Sequence, residues 1–198
     1  MRLATHDYSS AGAYFVTVCA EARGVNWFGE ISSAGMQLNA AGEMVLEIWN
    51  DLPTYYRGVQ TDAFVVMPDH VHGIVIVGAG PRARPAPADA DAPVNDNANA
   101  SPNPDLNADA VAGQTRGSAP TGVVGDGLSL PDVVQRFKSL TTHRYIQGVR
   151  QLDWSPFEKR LWQRNYWDRV VRDAHELEAT RAYITQNPMR QWLNKDGV

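Results

Sequence analysis

Two histidines, His70 and His72, are separated by one residue in a segment rich in branched apolar side chains. Successive side chains of a β-strand point to opposite faces, so a strand here places both imidazoles on one side and Val71 on the other. Gly73 leaves room beside the pair. Two neighbouring imidazoles supply half of a typical metal site. The pattern is short, and alone it favours two histidines on an exposed strand face.

Other families that bind metal through a His-x-His motif fit this chain poorly. A cupin-type site expects a glutamate a few residues downstream, and residues 73–80 contain none. A metallo-β-lactamase-type site expects further Asp and His residues directly after the pair, which are also missing. An amidohydrolase barrel requires a longer chain than 198 residues.

Tyr183 and Asn187 are four residues apart near the C-terminus. In a helix they lie on one face about one turn apart, and Ala179 keeps that face open around the tyrosine. The alternative is that Tyr183 is a core residue and that Asn187, just before Pro188, ends the helix. Without the two histidines, this alternative is favoured.

Together these side chains suit the cleavage of a phosphodiester. A tyrosine hydroxyl ionises near pH 10 in model peptides and is a poor nucleophile at neutral pH. A divalent cation on His70, His72 and the Asn187 amide would polarise the phosphate. Attack by Tyr183 would then form a phosphotyrosine ester and release a 3′-hydroxyl, so the strand could be rejoined without ATP. This ligand set suits Mn²⁺ better than Mg²⁺, which prefers oxygen ligands.

The elements that must position these residues follow from apolar periodicity and breakers. Strands are predicted at residues 14–20, 27–31, 36–38, 59–66 and 70–77. A first helix begins at Asn39 and ends at Pro53, with Val45, Ile48, Trp49 and Leu52 on its apolar face. Residues 161–171 are either a short strand or an aromatic-rich connection.

Two further helices are predicted in the C-terminal third. One begins at Ser129, with Pro131 and Asp132 in its first turn, and ends at Gly148; Val133, Phe137 and Leu140 form its inner face. The other begins at Asp173 and ends before Pro188. Strands separated by helices predict a single α+β domain over residues 1–198, with a central, mainly antiparallel sheet flanked by helices.

Residues 78–127 differ in composition from both flanks, because Ala, Pro, Asp, Asn and Gly dominate them. With almost no large apolar residue to offset ordering entropy, this segment is predicted to be a disordered insertion within the domain. The chain carries a net charge of −4, but residues 128–198 carry twelve basic and eight acidic residues, net +4. This distribution permits a phosphate-binding face in the C-terminal third.

Composition also predicts the compartment. No apolar run approaches the roughly 20 residues that span a bilayer, and the N-terminus lacks an apolar signal core. The single cysteine, Cys19, excludes an internal disulfide and is predicted to pack in a strand. We therefore expect a cytoplasmic, nucleoid-associated protein without membrane contact.

Three segments in this order resemble a known family. Residues 63–74 (AFVVMPDHVHGI) resemble the HUH motif of single-tyrosine transposases, and residues 162–169 (WQRNYWDR) with 183–188 (YITQNP) resemble the REP-associated tyrosine transposases (RAYT). The start, residues 7–9 and 12–17, also matches, so the similarity runs from about Asp7 to Trp192 outside the insertion. Asp69 departs mildly from the Asn common in relatives.

The resemblance implies a ferredoxin/RRM-like HUH fold with the histidines on a middle strand. It implies an enzyme that binds Mg²⁺ or Mn²⁺ and nicks and transfers single-stranded DNA at hairpin (REP-like) sequences, as monomer or homodimer. By position, His70 and His72 bind the metal, Tyr183 is the nucleophile and Asn187 takes the place of the third ligand. Two alternatives stay open: a domesticated hairpin-binding protein without catalysis, and a metal-dependent phosphodiesterase that uses water.

Other residues are candidates for contact with DNA. Phosphates could be bound by the basic side chains of Arg136, Lys138, Arg164, Arg169 and Arg172, although scattered surface charges are an equal alternative. Trp162 and Trp167 could stack on unpaired bases or pack in the core. Tyr166 is a second nucleophile candidate, but its aromatic neighbours favour packing.

Overall fold

The structure is a computed structural model that describes residues 11–78 and 128–195. Except for Gly78, the predicted insertion at 78–127 lies outside the described residues. The elements, in order, are β1 (Gly12–Cys19), β2 (Gly29–Ser32), β3 (Gly35–Leu38), α1 (Ala40–Tyr55), β4 (Val59–Met67), β5 (His70–Val77), α2 (Leu130–Gln151), β6 (Trp167–Val171) and α3 (Ala174–Lys195). None of these helices is both long and apolar enough to cross a membrane.

Four strands form one sheet in the order β4-β5-β1-β6, and every neighbouring pair is antiparallel. Strands β2 and β3 form a separate antiparallel hairpin. The histidine strand β5 therefore lies between two partners, with Thr17 of β1 opposite His72. These findings confirm the predicted α+β domain with a central antiparallel sheet. They also resolve the ambiguous residues 161–171, because Trp167–Val171 pair with β1 as the edge strand.

One face of the sheet carries the main core. Tyr14, Val16 and Val18 alternate along β1 as buried residues, as strand periodicity requires, and they join Val71 of β5 in the core. Helices α1 and α2 cover this face, and the Trp49 ring of α1 stacks on Phe64 of β4 with centroids 4.2 Å apart. Because His70 and His72 have the opposite parity to Val71, they point to the other face of the sheet, where α3 lies.

Gly73 serves the core rather than the histidines, contrary to the expectation from sequence. A Cβ at this position would lie 2.5 Å from the Trp49 ring and 2.8 Å from Phe64. The glycine is therefore required because the indole packs directly on the backbone of β5. Strand parity explains the error, since residue 73 faces away from residues 70 and 72.

Three predicted helix ends are wrong. Helix α1 contains Pro53 in its last turn and continues to Tyr55, and the N–H of Tyr56 bonds to the carbonyl of Leu52 at 3.0 Å. Helix α2 continues past Gly148, which is glycine because a Cβ there would lie 2.2 Å from the Trp154 ring. Helix α3 continues past a buried Pro188 to Lys195. Tertiary packing outweighs the helix-breaking tendency at this position.

The predicted helix starts at Asn39 and Ser129 are confirmed. The Asn39 side chain accepts from the N–H of Gly42 at 2.9 Å, and Ser129 forms a capping box with Asp132. The predicted inner face of α2 is correct for Val133 and Phe137 and wrong for Leu140, which is 37% exposed. Thr141 is buried instead and accepts a hydrogen bond from the indole N–H of Trp162 at 2.8 Å.

Candidate functional site

The two histidines of β5 lie side by side beneath α3. Their ring centroids are 4.8 Å apart and the rings are inclined at 81°. Both residues are buried, His70 at 9% and His72 at 7% exposure, so the pair is not an exposed strand face. Phe15 of β1 stacks on His72 with centroids 5.5 Å apart. Because side chains alternate along β5, and because β5 is held between two strands, both imidazoles are fixed on one face of the sheet.

Each histidine uses its Nδ1 atom for a hydrogen bond within the protein. His70 Nδ1 lies 2.7 Å from Asp69 Oδ1, and His72 Nδ1 lies 2.8 Å from Thr17 Oγ1. We place the proton of His70 on Nδ1 because a carboxylate can only accept, and the same tautomer of His72 lets the Thr17 hydroxyl accept. Both Nε2 atoms then carry free lone pairs. This is the usual arrangement of metal-binding histidines held by outer partners.

Electrostatics favour the neutral form of His72. Burial lowers its pKa to about 4, and the neighbouring His70 and Arg23 act in the same direction. An imidazole that is neutral at pH 7 can act as a ligand without first losing a proton.

Asp69, which sequence analysis treated as a mild departure, is part of the site. Burial raises the pKa of its carboxyl, but hydrogen bonds from His70 and from the Gly24 N–H, together with Arg23, outweigh burial and hold the pKa below its ordinary value. The Gly24 N–H donates to Asp69 Oδ2 at 2.7 Å, and Arg23 lies 3.2 Å from Oδ1. Asp69 is therefore an anion with all of its partners on the segment after β1 and on His70.

Helix α3 brings Tyr183 over the histidines. Its ring lies 5.6 Å from that of His72 and 5.8 Å from that of Phe15, between centroids. Tyr183 is 39% exposed, so it is accessible to a large substrate rather than part of the core. One cavity of about 580 Å³ is lined by Thr17, Cys19, Arg23, His70, His72, Trp167, Tyr183, Asn187, Arg190, Gln191 and Asn194. The four residues predicted to act together therefore share one cavity.

The donor set fits a divalent cation with a mixed ligand shell. His70, His72 and Asn187 line one cavity, and because both Nδ1 atoms bond within the protein, the two Nε2 atoms are available as ligands. Across residues 11–78 and 128–195, no group of three or more His, Cys, Asp and Glu side chains forms a candidate metal site. A cation held by the two imidazoles would therefore take its further ligands from amide or hydroxyl oxygens, such as that of Asn187, or from outside the protein; such a donor set suits Mn²⁺ or a similar ion.

The part of α3 beyond Pro188 adds residues that the sequence did not reveal. Arg190 lies over the Tyr183 ring, with its guanidinium carbon 6.0 Å from the ring centroid. Gln191 and Asn194 line the same cavity. No sequence signal could find them, because Pro188 predicted that the helix ends before they begin.

An ion pair fixes the position of α3 on the sheet. Arg181 donates from Nε to Asp62 Oδ1 at 2.8 Å and from Nη2 to Oδ2 at 2.5 Å. Asp62 lies in β4 where the pairing register with β5 shifts between Thr61 and Phe64. The Arg181 hydrogen bond lowers the pKa of Asp62 more than burial raises it. This two-point contact is two residues from Tyr183 and holds the tyrosine helix in place.

The five basic residues predicted to contact DNA lie in several different surroundings. Lys138 and Arg164 line a groove between α2 and residues 160–166, and Arg136 stacks on Tyr56 elsewhere on α2. Arg169 pairs with Glu176 at 2.8 Å and lines a cleft beside Tyr183, whereas the exposed Arg172 lies at the turn into α3. Contact of any of them with DNA stays a prediction.

Lys138 has an internal role. Its ammonium donates to the carbonyls of Gln163, Arg164 and Asn165 at 3.0 to 3.2 Å. Burial lowers its pKa to about 8, so the group is still charged at neutral pH and holds this segment against α2. Tyr166 packs in the same region, away from the histidines, with Lys138 5.5 Å from its ring centroid. Cys19, predicted to be a packing residue, is only partly buried and lines the histidine cavity.

Comparison with known proteins agrees with this architecture. No protein-family profile matches the chain. An uncharacterized protein of Haemophilus influenzae is 29% identical over 189 residues, which cover 96% of this chain and 87% of the relative. A solved structure of a REP-associated tyrosine transposase bound to a REP hairpin matches 98% of this chain and 77% of its own, with 16% identity and a TM-score of 0.53.

A crystal structure of a transposase candidate from Deinococcus radiodurans matches 94% of this chain and 97% of its own, with 16% identity and a TM-score of 0.41. At 16% sequence identity, a structural match indicates a shared fold and nothing more. The TM-score of 0.41 for the Deinococcus radiodurans protein is too low to indicate even that. The first likeness confirms the fold that the motif resemblance implied. The chain has the fold of a REP-associated tyrosine transposase.

Proposed function

We propose that this chain is a single-tyrosine transposase of the REP-associated type, which nicks hairpin-forming single-stranded DNA and transfers the cut strand. One observation carries the proposal: Tyr183 shares a cavity with His70, His72 and Asn187. The histidines lie on β5, and Tyr183 and Asn187 lie on α3, so the four residues meet only when this helix packs on the sheet. A core tyrosine would not be 39% exposed with its ring against a histidine.

The chemistry proposed for Tyr183 is a transesterification. The phenol oxygen forms a bond to phosphorus, and the bond between phosphorus and the 3′ oxygen breaks. The phenol proton passes to solvent, and the departing 3′ oxygen takes a proton to become a hydroxyl. The number of phosphoester bonds is unchanged, so the reverse attack by a 3′-hydroxyl rejoins or transfers the strand without an energy source.

The residues around Tyr183 support this step in two ways. His70, His72 and Asn187 would hold a divalent cation, which when bound would withdraw charge from the phosphate oxygens. Arg23 and Arg190 line the same cavity and present positive charge to the phosphodiester.

A covalent protein–DNA adduct tests the proposal. The full chain is incubated with labelled single-stranded DNA carrying the hairpins that flank its own gene, with Mn²⁺, Mg²⁺ or EDTA, and resolved on a denaturing gel. We expect a shifted band with metal, absent with EDTA and from Tyr183→Phe. Tyr166→Phe is the matched control, because Tyr166 packs near Lys138 and away from the histidines.

Other outcomes identify the alternatives. Cleavage without an adduct that survives Tyr183→Phe would indicate a phosphodiesterase that uses water. Hairpin binding without cleavage, in every metal tested, would indicate a binding protein without catalysis. An adduct that is lost in Tyr166→Phe but kept in Tyr183→Phe would contradict the assignment of the nucleophile.

A further inference from the structure

Trp167 is unusually exposed for a large aromatic side chain in a sheet. It begins the edge strand β6 and is 62% exposed, whereas the nearby Trp162 is 3% exposed and stacks on Phe28 with centroids 5.0 Å apart. Within the described part of the chain, no aromatic ring stacks on Trp167. Exposing a large apolar surface is unfavourable, so such a side chain beside a candidate site points to a ligand.

The position of Trp167 connects two cavities. It pairs with Thr17 in the sheet and lines the histidine cavity together with Tyr183. The same two aromatic residues also line a second cleft, of about 360 Å³, whose other walls are Phe15, Asp168, Arg169, Ala179 and Thr180. We call this second space the Trp167 cleft. A molecule in it lies directly next to whatever Tyr183 attacks.

The walls of the Trp167 cleft define the chemistry of its occupant. Side chains alternate along β6, so Trp167 and Arg169 share the face that carries Phe15, while the Asp168 side chain projects to the opposite face. The cleft therefore offers mainly aromatic surfaces, with the Arg169 guanidinium, which is paired with Glu176, at its wall. Such walls suit a flat, neutral ring joined to an anionic backbone.

We infer that the Trp167 cleft binds the unpaired base of the nucleotide next to the scissile phosphate, stacked on Trp167. This inference rests on the proposed function, because it needs a phosphodiester at Tyr183. Binding of the base holds the neighbouring phosphate in the histidine cavity and requires that nucleotide to be single-stranded. Stacking is tolerant of sequence, so the cleft selects for an unpaired base and not for one particular base.

Binding of single strands with and without bases tests the inference. The full chain is titrated in EDTA, which prevents cleavage, with a fluorescent single-stranded 12-mer of mixed sequence and with a 12-mer of abasic sugar–phosphate units. The two oligonucleotides carry the same charge. For Trp167→Ala we expect a loss of affinity for the base-containing strand of about 5- to 150-fold. Its affinity for the abasic strand should not change.

Two further variants separate stacking from structure. Trp167→Phe keeps an aromatic face and should restore most of the affinity for the base-containing strand. Tyr55→Ala removes another exposed aromatic residue, 65% exposed at the end of α1, and should change neither affinity. A strand with 2-aminopurine at successive positions gives a direct signal. One position should be quenched by the native chain and recover its fluorescence in Trp167→Ala.

The outcomes separate this inference from the proposed function. Equal weakening of both strands in Trp167→Ala, or no weakening of either, would overturn the base-binding role even if the Tyr183 adduct forms. Base-dependent binding that requires Trp167, without any adduct, would support the cleft and contradict the catalytic proposal. A native chain that binds neither strand would overturn the base-binding role, and the hairpin adduct alone would then decide the proposed function.

Discussion

The ring of Tyr183 lies 5.6 Å from the ring of His72, between centroids, and is inclined to it at 66°. The two residues are far apart in the sequence, on α3 and β5. Phe15 contacts both rings, by stacking on His72 and by an edge contact with Tyr183. The tyrosine is thus held beside a histidine whose Nε2 is free for a ligand, which is the central relationship of the candidate site.

Replacing His72 by Ala should remove metal binding. The change deletes one of the two imidazoles proposed as ligands, so we expect the affinity for Mn²⁺, measured by calorimetry on the full chain, to fall by more than about 100-fold. His143→Ala is the control, because this histidine is exposed on α2 and its ring contacts Gln147. Unchanged Mn²⁺ binding in His72→Ala would show that the metal site is elsewhere.

Replacing Asp69 by Ala should weaken metal binding through His70. The carboxylate fixes the Nδ1 tautomer of His70, and loss of such an outer partner costs about 10- to 100-fold in metal affinity. Asp69→Asn keeps an oxygen that accepts from Nδ1, so its loss should be smaller. Calorimetry with Mn²⁺ measures both variants. Equal affinity in all three proteins would mean that Asp69 does not position His70.

The Asp62–Arg181 ion pair should make stability depend on acid pH. Arg181 lowers the folded pKa of Asp62, so the contribution is fully present above the unfolded pKa of about 3.9 and is lost as pH falls through the folded value. Because Arg181 is 38% exposed and screened by solvent, Asp62→Asn should cost only about 1 kcal/mol at pH 7. Urea unfolding at pH 7, 4 and 3 measures this. The difference between the two proteins should shrink below pH 4, and a difference that grows there would contradict the assignment.

Gly73→Ala should destabilise the core under the histidine strand. Its Cβ would lie 2.5 Å from the Trp49 ring, and overpacking of this kind costs about 1–3 kcal/mol. Gly12→Ala is the matched control, because a Cβ there makes only ordinary contacts, at 3.4 Å, with the Tyr14 ring. Urea unfolding compares the two variants. Equal stability of Gly73→Ala and the native chain would mean that Trp49 does not pack as described.

The local patterns of the sequence predicted most of the fold because they depend on neighbouring residues. Asn39 and Ser129 begin helices through hydrogen bonds to the next turn, and the alternation around His70 and His72 determines which face they share. The helix ends were predicted wrongly where they depend on packing against residues distant in the sequence. Pro188 does not end α3, because the proline is buried, and Gly148 does not end α2, because it accommodates Trp154.

The residues of the candidate site likewise fall into two groups, those with a local sequence pattern and those placed by contacts between distant elements. The residues proposed to react could be selected from the sequence because His-x-His and Tyr-x₃-Asn are local spacings, and they share one cavity. The residues that hold them were not found, because Thr17, Arg23 and Arg181 meet their partners only through the sheet register or the docking of α3. Trp162 and Trp167 could not be distinguished in the sequence, and burial now separates a core residue from an exposed one.

The most direct test of the central claim is to identify the residue that carries the DNA. After reaction with hairpin DNA and Mn²⁺, the adduct is digested with nuclease and protease, and the modified peptide is sequenced by mass spectrometry. The account predicts a nucleotide attached through its 5′ phosphate to Tyr183. A nucleotide on Tyr166 or another residue, or cleaved DNA with no nucleotide on the protein, would contradict it.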